Sequence, residues 1–245
     1  MNIEPAGQPR LSVVVPTFNE EDNVVPLAEE IIDALAGLAG GFELIVVDDA
    51  STDATAARIA QLADPSVHGV FHRVNCGQSA AVASGFQVAR GEWVATLDGD
   101  GQNDPADLPA MLEQALREGV DCVTGVRRKR QDAFIRRLSS KLANGFRNWI
   151  TGDQVSDSGC GIRVVRRAAL REIPVFNGMH RFMPTLLRGQ GFSVVERPVN
   201  HRERHAGTSK YGVHNRLWRG IRDCFGIRWY LKRAVASERL HQASQ

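Results

Sequence analysis

Two carboxylates stand almost side by side in this sequence at the point where an apolar segment ends. Trp93–Leu97 has the pattern of a buried strand, and Asp98, Asp100 and Gln102 follow it at intervals of two residues. Side chains two residues apart point the same way in extended backbone, so the two carboxylates would repel each other. Such a pair raises its own pKa values unless a cation neutralises it. Oxygen ligands of this kind favour Mg²⁺ or Mn²⁺, which also bind substrate phosphates.

A calcium loop and a solvated turn are the two other interpretations of this segment. An EF-hand loop that began at Asp98 would need glycine at its sixth position and glutamate at its twelfth, where this chain has Asn103 and Pro109. Asp104, directly before Pro105, is typical of a helix N-cap. We therefore interpret Asp98, Asp100 and Gln102 as metal ligands and Asp104 as a cap.

Strand-like and helix-like segments alternate through the first 130 residues. The apolar runs that predict strands are Leu11–Val15, Phe42–Val47, Val70–Val74, Trp93–Leu97 and Asp121–Val126. Helical patterns lie between them, the first with Asn19 as its predicted cap and others over Gln78–Arg90 and Pro105–Glu118. This alternation predicts an α/β fold, a mostly parallel sheet with helices on both faces.

Polar clusters follow three of these strands. They are Thr17–Glu20, Asp48–Asp49 and Asp98–Gln102. Ligands of parallel sheets bind outside the carboxyl ends of the strands. The sequence therefore predicts one site built from all three clusters.

The second half of the chain is less regular and contains two basic segments. We predict helices over Phe134–Ile150, Met179–Arg188 and Val213–Tyr230, a strand over Phe192–Val199 and a basic loop over His201–Tyr211. Residues 127–147 carry eight Lys or Arg against one acid, and residues 201–233 carry nine against two. Such segments favour phosphate-bearing partners or an anionic membrane.

Several classes of protein are excluded by what the sequence lacks. There is no G-x-G-x-x-G after the first strand and no Walker motif, which argues against a Rossmann dehydrogenase and a P-loop NTPase. Four widely spaced cysteines form no C-x-x-C pair, and the N-terminus has no signal-peptide pattern. We expect a cytoplasmic protein that is peripheral on the cytoplasmic face of a membrane.

Six motifs, in this order along the chain, resemble those of the family 2 glycosyltransferases. They are VVVPTFNEE, VVDDASTDAT, NCGQSAAVASGF, TLDGDGQNDP, DSGCGIRVVRR and RHAGTSKYG. The branch that they resemble is that of the polyprenyl-phosphate hexose synthases, similar to dolichol-phosphate mannose synthases. The resemblance implies the GT-A fold over residues 10–212, after a flexible N-terminus at 1–9. It leaves 213–245 as a basic amphipathic segment that we expect to lie on a membrane surface.

The resemblance also implies roles for individual residues. Those that would bind the nucleotide-sugar are Pro16, Thr17, Glu20, Asp48, Asp98, Arg204 and Lys210, and those that would hold the metal are Asp98, Asp100 and Gln102. Arg127, Arg136 and Arg137 resemble arginines that bind the acceptor phosphate, and Asp100, Arg127, Arg137 and Asp157 are the candidate catalytic residues. The family usually has D-A-D-L-Q where this chain has D-G-D-G-Q.

The function that the resemblance implies is a metal-dependent, inverting transfer of a sugar from a nucleotide-sugar, expected to be a UDP-sugar, to a polyprenyl (undecaprenyl or dolichyl) phosphate. The lipid-linked sugar would serve modification of cell-envelope glycans. A glycosyltransferase with a polysaccharide or soluble acceptor, and a non-catalytic binding module, remain the alternatives. Contact with the membrane through the 213–245 segment, through a membrane-protein partner or in a homo-oligomer is left open, and no nucleic-acid partner is expected.

Overall fold

The computed structural model describes residues 8–127, 144–202 and 213–234. Seven strands lie within these ranges: β1 Leu11–Thr17, β2 Phe42–Asp48, β3 Val67–Phe71, β4 Trp93–Thr96, β5 Cys122–Arg127, β6 Arg163–Arg166 and β7 Val194–Val199. The α-helices within them are α1 Val24–Leu35, α2 Thr55–Ala60, α3 Gln78–Val88, α4 Leu108–Glu118, α5 over 144–151, α6 Arg167–Leu170, α7 Met183–Gly189 and α8 Val213–Arg233.

All seven strands form one sheet in the order β3-β2-β1-β4-β6-β5-β7. The strands β3, β2, β1 and β4 run parallel, and β5 and β7 run parallel to each other. β6 lies antiparallel to both of its neighbours, β4 and β5. The prediction of a mostly parallel sheet is confirmed, whereas β6 was not predicted.

Helices cover both faces of the sheet, as predicted. On one face α1 and α4 pack on the strands, with Ile31 and Met111 in the same buried cluster as Val13. On the other face α3, α7 and α8 contribute to a second buried cluster, which includes Val14 and Leu186. Neighbouring residues of β1 therefore enter opposite cores, as strand geometry requires.

Two local predictions differ from the structure. β3 lies three residues earlier than predicted, because His68 and Gly69 interrupt its apolar pattern. The prediction that Asn19 caps the first helix is wrong: α1 begins at Val24, and Asn19 adopts a left-handed conformation with φ 53°. Most of the predicted 134–150 helix lies outside the described residues.

Within the described ranges, no helix combines the length and the apolar character that crossing a bilayer requires. The proposed boundaries at residues 10 and 213 stay predictions.

The position of α3 depends on a close approach to β1. A Cβ atom at Gly85 would lie 2.3 Å from Val14 Cγ1, which is fully buried. The absence of a side chain at Gly85 thus lets α3 lie flat against the sheet. This packing places the N-terminal end of α3, at Gln78, beside the end of β4.

We expect Gly85→Ala to lower the free energy of unfolding by about 1–3 kcal/mol, because the added methyl group overpacks the core against Val14. Gly145→Ala is the matched control, since Gly145 is helical and its Cβ would meet none of the described atoms within 4 Å. Its expected effect is a stabilisation of about 0.5–1 kcal/mol. Urea denaturation measures both, and equal effects of the two substitutions would contradict the packing argument.

Candidate functional site

A cleft of about 570 Å³ runs along the carboxyl ends of the central strands. It collects residues that lie far apart in the sequence, as the positions of the polar clusters predicted. The predicted site residues that line it are Pro16, Thr17, Glu20, Asp98, Asp100, Gln102 and Arg127. Four predicted residues, Arg136, Arg137, Arg204 and Lys210, lie outside the described residues.

Hydrogen bonds between the ends of β1 and β2 fix one side of the cleft. Thr17 Oγ1 donates to the Val47 carbonyl at 3.1 Å, and the Asp49 amide donates to the Thr17 carbonyl at 2.9 Å. The Thr52 amide donates to Asn19 Oδ1 at 2.8 Å. Asn19 therefore joins the two strand-end loops instead of capping α1.

The two adjacent acids at the end of β2 have different surroundings, although both are buried. Asp49 lines the cleft, and its carboxylate accepts hydrogen bonds from the amides of Cys76 and Gly77 at 2.9 and 2.7 Å. Asp48 Oδ2 accepts from the Ser51 amide at 3.1 Å, and Asp48 is not among the described residues that line the cleft. The role of Asp48 in donor binding stays a prediction.

Asp49, His72 and Cys76 bring three atoms of metal-ligand type within 4.8 Å of one another. Hydrogen bonds already engage both ring nitrogens of His72, with Asp49 Oδ1 at 2.7 Å and with Ser84 Oγ at 2.9 Å. We interpret this cluster as the support of the turn that leads into α3.

Asp98 occupies the centre of the cleft and is tightly enclosed. Gln78 Nε2 donates to Asp98 Oδ1 at 2.7 Å, and a Cβ atom at Gly161 would lie only 2.1 Å from Asp98 Oδ2. Burial, followed by the charge of Asp100, raises the pKa of Asp98 to about 6, although the charge of Arg163 and the Gln78 hydrogen bond oppose the rise. Among the described residues, the positive charge near the carboxylate pair does not offset these two effects.

The donors around this pair fit a hard divalent cation. Asp98 and Asp100 offer carboxylate oxygens, and the amide oxygen of Gln102 lies in the same cleft. The Gln102 amide donates to Asp100 Oδ1 at 3.2 Å, and its carbonyl accepts from the Arg202 amide at 2.9 Å. Oxygen donors of this kind suit Mg²⁺ or Mn²⁺, with substrate phosphates completing the coordination.

The far side of the cleft is basic. Arg127 is held by Asp157 through two hydrogen bonds, Nε to Oδ2 at 2.6 Å and Nη2 to Oδ1 at 2.7 Å. A Cβ atom at Gly159 would lie 2.9 Å from Arg127 Nη2, so the 158–161 loop passes close to this pair. Arg127 lines the cleft, whereas Asp157 contacts it through Arg127, and the catalytic role predicted for Asp157 stays a prediction.

Several residues that line the cleft were not predicted from the sequence, among them Gln78, Arg163, His180 and Arg181. Gln78 and Arg163 lie in the quoted motifs NCGQSAAVASGF and DSGCGIRVVRR, and Arg163 stands out as a charge beside an apolar run. His180 lies outside the quoted motifs. Its Nδ1 lies 2.7 Å from Oγ of Ser79, in the first turn of α3, a contact between segments about one hundred residues apart.

The mostly parallel sheet and the cleft at the carboxyl ends of its strands are those of an α/β fold of the GT-A type. The family model "Glycosyl transferase family 2" matches residues 12–174. The chain belongs to glycosyl transferase family 2.

Two curated relatives are similar over most of the chain. Dodecaprenyl-phosphate galacturonate synthase from Rhizobium johnstonii is 36% identical over 94% of this chain and 69% of its own length. Undecaprenyl-phosphate 4-deoxy-4-formamido-L-arabinose transferase from Edwardsiella ictaluri is 36% identical over 83% of this chain and 63% of its own length. The chain thus spans less than two thirds of the second relative and slightly more of the first.

Solved structures support the fold. Glucosyl-3-phosphoglycerate synthase from Mycobacterium tuberculosis, crystallised with Mn²⁺, UDP and glucosyl-3-phosphoglycerate, superposes with a TM-score of 0.62 and 22% identity. The alignment covers 92% of this chain and 80% of that one. The same enzyme with Mg²⁺ and UDP gives a TM-score of 0.64.

We expect Mn²⁺ to bind about tenfold more weakly at pH 5 than at pH 7.5, because a metal ion must displace the proton from Asp98, whose pKa is raised to about 6. Affinity should reach a plateau above pH 7, where Asp98 is already ionised. Calorimetric titration at several pH values measures this. Asp100→Asn serves as the comparison: removing the neighbouring charge should move the step to lower pH. Equal affinity at both pH values would contradict the assignment.

Proposed function

We propose that this protein transfers a sugar, with inversion, from a nucleotide-sugar, in particular a UDP-sugar, to a polyprenyl phosphate. The observation that carries the proposal is the order of groups along one cleft. Strand-end loops of β1 and β2 are followed by the Asp98–Asp100 pair and then by Arg127. The names of both curated relatives specify a polyprenyl phosphate, which supports this acceptor class.

The donor would lie across the ends of β2, β1 and β4. Its nucleoside would contact Pro16, Thr17 and Glu20, and its diphosphate would lie at Asp98 and Asp100. The Arg202 amide donates to the Gln102 carbonyl, so Arg202 lies beside the proposed metal ligands. It directly precedes the basic 203–210 segment. We propose that Arg204 and Lys210 of that segment bind the diphosphate from the opposite side.

The reaction requires stabilisation of the charged leaving group and does not require a proton donor. An oxygen of the acceptor phosphate attacks the anomeric carbon, the bond from that carbon to the diphosphate oxygen breaks, and the nucleoside diphosphate leaves with the electron pair. A divalent cation held by Asp98, Asp100 and Gln102 would stabilise the charge that develops there. Asp98 and Asp100 would act on the diphosphate through that cation, and the backbone at Gly161 lies close against the Asp98 carboxylate.

The acceptor phosphate is already an anion near neutral pH, so a strong general base is unnecessary. Arg127 would offset the repulsion between the acceptor and the donor, together with Arg136 and Arg137. Asp157 keeps the Arg127 guanidinium in a fixed orientation through its paired hydrogen bonds. In this proposal Asp157 positions Arg127 and does not accept a proton.

The lipid acceptor requires contact with a membrane, and α8 offers a suitable surface. Phe225 and Trp229 are 56% and 61% exposed, one helical turn apart, with Arg222, Arg228, Lys232 and Arg233 on the same helix. Arg228 Nη1 donates to the Ile150 carbonyl at 2.8 Å, which joins α8 to α5 and its exposed Trp149. We propose that α8 lies on the cytoplasmic surface of an anionic membrane.

The transfer reaction is tested by incubating the protein with radiolabelled UDP-sugars, Mn²⁺ and undecaprenyl phosphate. We expect label in the organic phase for a donor that fits. Asp100→Ala should reduce this at least about a hundredfold, since the diphosphate loses its stabilisation in the transition state. Asp33→Ala, on α1, is the control because Asp33 does not line the cleft. Label transferred to soluble saccharides, with none in lipid, would favour the alternative acceptor.

Membrane contact is tested by sedimentation with vesicles of phosphatidylglycerol and phosphatidylcholine. We expect the double substitution Phe225→Ser and Trp229→Ser to weaken binding about tenfold or more, because the exposed rings supply apolar area at the interface. Leu116→Ser removes an exposed apolar side chain from α4, on the opposite face of the sheet, and should change nothing. Equal sedimentation of all three proteins would contradict the proposed surface.

A further inference from the structure

Arg163 is a buried cation at the floor of the cleft. It begins β6, the antiparallel strand between β4 and β5, in register with Thr96 on one side and Thr124 on the other. The residue is only 4% exposed, yet it lines the cleft. Buried arginines are rare unless a partner compensates their charge.

The bonding of Arg163 leaves most of its capacity unused. Nη2 donates to the Cys160 carbonyl at 2.7 Å, and Nε has no hydrogen-bond partner among the described residues. Among the described residues, no carboxylate lies within ion-pair distance of the Arg163 guanidinium. By contrast, Arg127 is paired with Asp157, and Arg147 is bonded to Thr185.

A buried guanidinium without a counter-ion is unfavourable, because five N–H donors and a full charge have left water. Its charge does reach Asp98, whose carboxylate it stabilises from a distance. A ligand anion at the floor of the cleft would supply the missing partner. Arginine suits such an anion because its planar fork matches phosphate oxygens.

The position of β6 indicates which anion this is. Strands in a sheet are about 4.8 Å apart, so Arg163 starts about one strand spacing from β4 and one from β5. It therefore lies between Asp98, which follows β4, and Arg127, which ends β5. The donor diphosphate belongs to the β4 side in the proposed function, and the acceptor phosphate belongs to the Arg127 side.

The loop above Arg163 is kept free of side chains at two points. Gly161 lies against the Asp98 carboxylate and Gly159 lies against the Arg127 guanidinium, where added Cβ atoms would approach to 2.1 and 2.9 Å. The backbone of this loop thus runs closely between the two charged groups. A phosphate bound next to this loop, above β6, could contact both Arg163 and Arg127.

We propose that Arg163 binds the phosphate of the acceptor and aligns it with the anomeric carbon of the donor. This inference rests on the proposed function and adds a positioning residue that acts from the floor of the cleft. It separates the two anions by role: the carboxylate pair and its cation hold the donor, and Arg163 with Arg127 holds the acceptor.

The test uses Arg163→Lys and Arg163→Met in the full chain, with Arg166→Met as the matched control. Arg166 lies on the same strand but outside the cleft, bonded to Asp121 at 3.2 Å. Initial rates are measured against undecaprenyl phosphate at saturating donor, and against the donor at saturating acceptor. Binding of UDP with Mn²⁺ is measured separately by thermal shift.

We expect Arg163→Lys to raise KM for undecaprenyl phosphate about tenfold, because a point charge replaces a bidentate donor. Arg163→Met should lower kcat/KM for the acceptor at least about a hundredfold, since the charge is lost as well. For Arg163→Lys, which keeps the positive charge near Asp98, KM for the donor and binding of UDP with Mn²⁺ should stay within about twofold of the wild type. Arg166→Met should behave as wild type.

Unchanged acceptor KM in Arg163→Lys, or a rise confined to the donor KM, overturns the inference. If Arg163→Met does not fold, the lysine variant decides, because it keeps the charge that the core accommodates. Failure of the proposed function is a different result: the wild-type protein would then give no lipid-linked product with any donor. Inorganic phosphate supplies a further check, and it should inhibit the wild type in competition with undecaprenyl phosphate.

Discussion

The burial of the Asp98 carboxylate, close to the charge of Asp100, is the constraint on which the arrangement of the site depends. Burial and the neighbouring charge raise the pKa of Asp98, and the protein opposes this with the Gln78 hydrogen bond and the distant charge of Arg163. The pKa of Asp98 that remains raised is consistent with the divalent cation that the proposed function places at this pair. Each neighbouring element serves this centre: α3 brings Gln78, β6 brings Arg163, and Gly161 admits the backbone beside the carboxylate.

The cations on the far side of the cleft are held in different ways. Arg127 is fixed by the paired hydrogen bonds of Asp157, which orient its guanidinium while leaving it at the cleft. Arg163 is instead enclosed by the sheet, with a backbone carbonyl as its hydrogen-bond acceptor. A bound anion therefore stabilises the two cations to different extents. The enclosed Arg163, which has no carboxylate partner among the described residues, is stabilised more than Arg127, which is paired with Asp157.

The sequence predicted those parts of the fold whose signals are local and strong. β1, β2, β4 and β5 are near-continuous apolar runs, and polar residues directly after them indicated the cleft. β6 escaped prediction because it has only four residues, two of them arginines. Its charged residues are tolerated because one lines a cleft and the other stacks on Trp93. Such compensation depends on contacts between distant segments, which residue pattern alone does not reveal.

Site prediction followed the same division. Asp98, Asp100 and Gln102 follow a strand at intervals of two, which predicted their place in the cleft, and the structure brings all three there. Their role as metal ligands stays a prediction. For Asp48 and Asp49 the sequence could not tell which side chain faces the cleft, because β2 ends at Asp48 and the alternation of a strand no longer applies. Of the two, Asp49 lines the cleft. Gln78 and His180 belong to segments whose relation to the site appears only once α3 is packed on β1.

The antiparallel strand β6 divides the sheet into two halves that come from successive parts of the chain. Residues up to α4 build the strand ends of β3, β2, β1 and β4, whereas β5, β6 and β7 come from the following part of the chain. A single ladder between β4 and β6 joins the two halves of the sheet. In the proposed reaction the metal ligands come from the first half of the sheet, whereas Arg127 and Arg163, on the acceptor side, come from the second. This arrangement makes chimeras cut in the loop before β5 a rational route to new acceptors.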